Sequence, residues 1–301
     1  MPATNPVVTA ITGYTEQHRS ELLSASLLDG KSRGLFNLMT DVKGPTTLNI
    51  MENDIHFQPL TCGWNESGTT TFSQRTLDPV GIEIEMSFCD KNLLRTYAQY
   101  EVKVAAGREQ MPFEEQFVNN ILGKINEGIE KMLYQGKLTD SGATNECEGL
   151  VSILSNDENV VAVSAATGVT AYAFLKDVAK AIPANVKNPV ILVSTPLYRE
   201  YIQDLVAANL FHYDPANGEN EYRLPGTDIK VIAVDGLNGT EKDYAIAANL
   251  NNIFYGVSGD EDDSAFDLFY SRDNREFRFY WASVLGVQVA FPDEVVLGTR
   301  G

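Results

Sequence analysis

Positive charge is what this sequence has least of. Its 301 residues carry 23 Lys and Arg against 41 Asp and Glu, a formal net charge of −18. Gripping nucleic acid takes clustered Lys and Arg aimed at phosphates, so this balance argues against such a role. Histidine is scarce too: His18, His56 and His212 form no HExxH or H-x₃-H pair, and no zinc enzyme is indicated. Cys62, Cys89 and Cys147 are far apart and odd in number, giving neither a disulfide framework nor a metal spacing, and they read as reduced thiols. No apolar run approaches the 18 residues that a membrane-crossing helix needs, and the opening MPATNPVVTAITGYTEQHRSEL lacks the basic start and apolar stretch of a secretory signal. Without a secretory route, the triplets NES (65–67) and NGT (238–240) are not expected to carry glycans. The phosphate-cradling GxxxxGK[ST] and GxGxxG are absent, and GVSGD (256–260) is a failed match to GxSxG. No repeat and no low-complexity tract is present.

What remains is globular in composition, 44% hydrophobic and 21% charged, and long enough for one large domain or two smaller ones. Residues 14–29 predict a short helix with a thin stripe of Leu22, Leu23, Leu27 and Leu28, stopped by Gly30. So thin a stripe needs a partner outside its own segment. From 45 to 60 the chain mixes Thr, Ile and Phe with polar residues, as a strand does. CGWNESGTTTF (62–72) then sets a tryptophan among glycines and polar residues. VGIEIEMSF (80–88) alternates, with Ile82, Ile84, Met86 and Phe88 on one face and Glu83, Glu85 and Ser87 on the other. Residues 45–88 together predict a long two-stranded arm with its tip near 61–69. Isolated two-stranded arms are marginal in water, so this one needs a partner as well.

The strongest helix signal is PFEEQFVNNILGKINEGIEKMLYQG (112–136). Pro112 suits its first position and Glu114 and Glu115 its first turn. Phe113, Phe117, Ile121, Ile125, Ile129 and Leu133 recur every four residues, and Val118, Leu122 and Met132 widen the stripe. Gly123 and Gly128 each cost about 1 kcal/mol relative to Ala. Close approach of another backbone would explain them, and so would simple tolerance. After a polar hinge (139–149), residues 150–257 read as an α/β lobe. AYAFLKDVAKAI (171–182) predicts a helix, PVILVS (189–194) a strand buried on both faces, and Thr195 with Pro196 the start of a second helix. HYDPANGENEYRLPG (212–226) is a long polar loop, with strand-like runs at 227–236 and 243–257. REFRFYWASVLGVQVAFPDEVVLG (275–298) closes the chain with one or two long aromatic-rich strands.

Chemistry is thin. The acidic run GDEDDSAFD (259–267) offers Asp260, Asp262 and Asp263 to a hard cation, but it lacks the glycine and glutamate of an EF-hand loop and reads as a solvated turn. Ser194 or Asp235, near strand ends, could serve a hydrolase only with a base, and no histidine lies near either in sequence. A β-rich adhesin or tail-tube protein would lack the long helix. No catalytic residue and no cofactor is expected; a stable chain with protruding, unsupported parts reads as a building block.

The order of parts resembles a known family. A weak N-terminal helix precedes a two-stranded loop tipped by W-x-E-x-G (Trp64, Glu66, Gly68). Phe72 and Leu77 lead into an alternating strand and a long helix. A hinge then runs into EGLVSIL (148–154), an α/β lobe and a closing strand with FPDEVV (291–296). This is similar to the HK97-like major capsid protein of tailed bacteriophages, over about 14–298. The resemblance implies an α+β fold with an N-terminal arm (1–44), an E-loop (45–90), a peripheral P domain built on the spine helix (91–149 and 268–301) and an axial A domain (150–267). It implies a subunit that assembles into pentamers and hexamers around packaged DNA, without sequence-specific binding or a membrane. Separate scaffolding, portal and decoration proteins are its possible partners, and the virion capsid, assembled in the host cytoplasm, its place. Subunit contacts are expected at Trp64, Glu66, Phe72, Arg75, Tyr213 and Tyr222. With no lysine at 61–76, the lysine–asparagine cross-link of some relatives has no donor at the tip. An encapsulin nanocompartment has the same fold and is the nearest alternative.

Overall fold

The computed structural model describes residues 14–15, 18–28, 30–60, 62–63, 67–89, 95, 113–138, 146–211, 221–258, 265–271, 273–274 and 276–301. In chain order these give α1 (Arg19–Leu28), β1 (Asn37–Met39), β2 (Thr46–Ile55), β3 (Gly68–Leu77), β4 (Val80–Cys89) and α2 (Phe113–Gln135). There follow α3 (Leu150–Asn156), β5 (Val161–Ala165), α4 (Ala171–Ala181), β6 (Val190–Ser194), α5 (Thr195–Ala207), β7 (Glu221–Arg223) and β8 (Lys230–Val234). The chain closes with β9 (Asp243–Ala248), β10 (Ile253–Val257), β11 (Ala265–Ser271), β12 (Glu276–Val289) and β13 (Val296–Arg300).

One sheet is organised around β12. Along one edge it pairs antiparallel with β10 and then β11, along the other with β4, and β1 adds in parallel to β10. Alternate residues Phe277, Phe279, Trp281 and Leu285 of β12 are buried. They face α2, which at about 1.5 Å per residue is roughly 35 Å long and buries Val118, Leu122, Ile125, Ile129, Met132 and Leu133. The expected stripe is therefore centred slightly off the every-fourth-residue row, with Phe117 and Ile121 at its half-buried margin. Nothing lies within 4 Å of a side chain added at Gly123 or Gly128, so no backbone approaches them within the described subunit. α1 supplies Leu22, Leu23 and Leu27 to the same core, the outside partner that its thin stripe called for.

The second sheet has the order β5-β13-β9-β6-β8-β7. Its β6 is buried on both faces: Leu192 joins the core under α2, while Ile191 and Val193 face α4 and α5. α5 is capped one residue earlier than the expected Thr195, because Ser194 Oγ accepts from the Leu197 amide at 3.3 Å. Pro196 sits in its first turn, where a missing N–H costs nothing.

Three pairings depart from the sequence reading. β4 is not part of the arm: it lies along β12 from Val80↔Leu285 to Cys89↔Glu276, and only residues 46–77 form the hairpin. The run 243–257 is two strands, not one. A 3₁₀ turn at Leu250–Asn252, with the Asn249 side chain accepting from the Asn251 amide, sends β9 and β10 to different sheets. Finally β13 leaves the β12 sheet and inserts between β5 and β9 of the other. In each case the local alternation fits either sheet, and long-range burial decides.

Candidate assembly surface

β2 and β3 pair in register from Thr46↔Leu77 to Ile55↔Gly68, with no third strand on either edge among the described residues. Residues near the base are covered: Leu48, Ile50 and Leu77 are buried. Further out the apolar side chains are bare. Met51 and Phe72 stand opposite each other at 56% and 75% exposure, Ile55 is 69% exposed, and Phe57 and Leu60 are fully exposed. Between them on the same face, Gln74 Nε2 donates to Asn49 Oδ1 at 3.0 Å and Thr70 Oγ1 to Asn53 Oδ1 at 2.8 Å. Towards the tip the His56 amide donates to the Ser67 carbonyl at 2.8 Å and Ser67 Oγ to the His56 carbonyl at 2.7 Å, so the pairing continues past β2.

The base is fastened by chemistry that the sequence did not announce. Arg75 Nη1 donates to Asp157 Oδ2 at 2.7 Å, and both side chains are largely buried. Burial pushes the Asp157 carboxyl up, but the Asn159 amide and the Arg75 guanidinium outweigh it and hold the carboxyl below its ordinary range. Gln288 Nε2 donates to the Thr76 carbonyl at 2.9 Å. Leu77 fits a notch left by Gly256 and Gly286, which pair across β10 and β12; a side chain added at either glycine would press on the Leu77 methyls at 2.9 and 3.3 Å. The hairpin is therefore rigidly rooted and bare at its far end.

Of the expected contact residues, Phe72 lies on this bare face. Within the subunit the Arg75 guanidinium is paired with the Asp157 carboxylate at the arm's root. Tyr222 spends its ring inside the lobe, stacked on Phe211 at 5.2 Å and edge-on to Tyr201 at 6.4 Å. Trp64, Glu66 and Tyr213 lie outside the described residues, as do Asp260, Asp262 and Asp263 of the acidic run. Among the described residues no cluster of His, Cys, Asp and Glu is placed to hold a metal ion, and no helix is long and apolar enough to cross a membrane. The three cysteines are free, and burial pushes the Cys147 thiol up to about 12. The hydrolase candidates are committed elsewhere: Ser194 is buried as a helix cap, and Asp235 Oδ1 accepts from Thr195 Oγ1 at 3.0 Å and Asn238 Nδ2 at 2.9 Å.

No family model and no curated protein matches the chain by sequence. By structure it is similar to the capsid of a native GTA particle computed with C5 symmetry, with a TM-score of 0.61 at 12% identity, over 92% of this chain and 91% of that one. It is similar to the procapsid of satellite phage P4, which includes the size determination (Sid) protein, with a TM-score of 0.61 at 13% identity, over 99% and 93% of the two chains. A virus-like particle from Pyrococcus furiosus matches with a TM-score of 0.52 at 9% identity, over 94% and 98%. At such identities the likeness is one of fold. The chain is an α+β protein with the HK97-like capsid fold.

Proposed function

We propose that this chain is the major shell subunit of a tailed-phage head, assembling into pentamers and hexamers that enclose DNA. The observation that carries the reading is the hairpin: a firmly rooted arm whose outer half shows Met51, Ile55, Phe57, Leu60 and Phe72 to water. Contiguous apolar exposure of this kind marks a surface meant to be covered. In this reading 46–77 is the E-loop, the β12 sheet with α2 is the P domain, and the β6 sheet with α4 and α5 is the A domain. A neighbouring subunit then supplies the rest of the pocket for Trp64 at the tip. At about 25 cal/mol per Å² of apolar area, a tryptophan burying about 150–250 Å² contributes up to about 4–6 kcal/mol gross, less the cost of ordering and association. The net charge of −18 suits a container that encloses DNA without binding it tightly. Assembly is placed in the host cytoplasm, with scaffolding, portal and decoration proteins as separate chains, and the subunit is not an enzyme.

A second reading, an encapsulin-like compartment holding protein cargo, is supported by the likeness to the Pyrococcus particle. Negative-stain electron microscopy of the purified protein, expressed alone and with its genomic neighbours, separates the two. Closed shells or five- and six-membered rings are expected, with DNA or enzyme cargo inside deciding between phage and compartment. A uniform monomer under both conditions would remove both readings. Trp64→Ala is expected to leave the subunit folded and to impair shell formation; normal particles at normal yield would sink the assignment of the arm.

A further inference from the structure

The joint where the N-terminal segment meets α2 is polar in the middle of an apolar core. Ser26, Ser32, Arg33 and Glu130 are all buried there. Arg33 Nη1 donates to the Ser26 carbonyl at 2.8 Å and Nη2 to Asn126 Oδ1 at 2.9 Å. Tyr134 Oη donates to Ser32 Oγ at 2.8 Å, and Ser32 Oγ in turn donates to Glu130 Oε1, which also accepts the Ser32 amide at 3.3 Å. The other carboxylate oxygen, Glu130 Oε2, is buried and has no hydrogen-bond partner among the described residues. Glu130 lines a cavity of about 630 Å³ that opens between α2, the turn at Gly30 and Lys31, and the 3₁₀ turn at Asp235–Leu237. That turn is pressed onto the helix: a side chain at Gly236 would collide with the Tyr134 ring and the Glu130 carbonyl. One carboxyl group thus sits where the N-terminal segment, the long helix and the A-type lobe meet.

We propose that Glu130 is a proton-operated lock on this joint, closed when the carboxyl is neutral and loosened when it is ionised. A carboxylate with one oxygen buried and unmet is costly, and neutralising it removes most of that cost. The groups around it set the balance. Arg33 from the N-terminal turn favours the ionised form, and Asp235 from the lobe turn opposes it. Lys31, Glu127 and Lys131 line the same cavity, but Glu127 is already held by Lys124 at 2.8 Å and Lys131 at 3.2 Å. Tyr134, on the same helix, and Tyr255 on β10 are pushed up in part by the Glu130 charge, so both stay neutral beside it. Burial comes first among these influences and pushes the Glu130 carboxyl above its ordinary range, against the pull of Ser32 and Arg33. A carboxyl that holds its proton more tightly in the folded joint than in the opened one favours the closed joint at low pH. That advantage fades as pH rises through the raised folded value. The cavity gives water and protons a route to the group. None of this depends on the shell reading, because every participant belongs to one subunit.

Hydrogen exchange of the full-length protein over residues 19–36, corrected for the intrinsic pH dependence of exchange, tests the lock. Protection is expected to be several-fold higher near pH 4, below the ordinary glutamate value, than near pH 8 in the wild type. In Glu130→Gln it is expected to be high and flat across the same range. Flat wild-type protection, or a pH dependence that survives in Glu130→Gln, would overturn the proposal. Asp235→Asn keeps the acceptor for Thr195 and Asn238 but removes the opposing charge. It is expected to move the midpoint to lower pH, and an unmoved midpoint would also count against the lock, even if Glu130→Gln failed to fold.

Discussion

Strand β12 buries its apolar phase along its length, whereas the hairpin β2–β3 buries apolar side chains only near its base and shows them further out. On β12 the hidden phase is Phe277, Phe279, Trp281 and Leu285; on the hairpin the shown phase is Met51, Ile55 and Phe72. The difference is not in the strands themselves, since both pair along their whole length. It lies in the third layer: α2 covers β12, and none of the described residues covers the outer hairpin. An apolar strand face therefore does not by itself say whether a cover for it comes from the same molecule. In the proposed shell subunit, dividing the strands between the two kinds of cover would keep folding independent of assembly.

The comparison breaks most visibly at the covered strand. Trp281 is fully buried and its Nε1 donates to Ser26 Oγ at 3.0 Å, so Trp281→Ala is expected to lower unfolding free energy by about 3–5 kcal/mol. Denaturant melts read this directly, and a loss below about 1 kcal/mol would mean the core relaxes around the gap. An intermediate effect is expected at the root of the hairpin. Arg75→Ala leaves the Asp157 carboxylate buried without its guanidinium and is expected to cost about 1–3 kcal/mol. Because the Asp157 carboxyl is held low in the folded chain, its contribution is present above the unfolded value of about 4 and is lost as pH falls through the lower folded value. Acid melts of the wild type should show that loss, and the Arg75→Ala variant should lack most of it. The smallest effect on the lone subunit is expected from Phe72→Ser, within about 0.5 kcal/mol, because the ring is three-quarters exposed. Its yield of shells, measured by sedimentation, is nevertheless expected to fall; an equal yield would remove Phe72 from the covered surface.

Sequence reasoning reached the parts whose signal is local. The apolar row of α2 was visible because 3.6-residue periodicity names a helix face without any partner. The double burial of β6 followed from a run of β-branched and aliphatic residues with no polar phase. What escaped were choices between distant partners. Nothing local to Val80–Cys89 says whether it continues the hairpin or lies along β12, and nothing in Val296–Arg300 names β5 and β9 as its neighbours. The pairing of Arg75 with Asp157 is of the same kind, since the two lie 82 residues apart and nothing local names one to the other. The notch for Leu77 was invisible for the same reason: Gly256 and Gly286 mean little until their strands are paired.

The insertion of β13 into the middle of its sheet also sets a clock. β5 is complete at Ala165, but its partner does not exist until the ribosome has reached Arg300, on the order of ten seconds later at about 5–20 residues per second. Until then β5 and β9 each hold an open edge, and the lobe cannot close. A nascent chain still in synthesis thus lacks a finished lobe. In the proposed shell, the order of translation would act as a quality check on the molecules that go on to build.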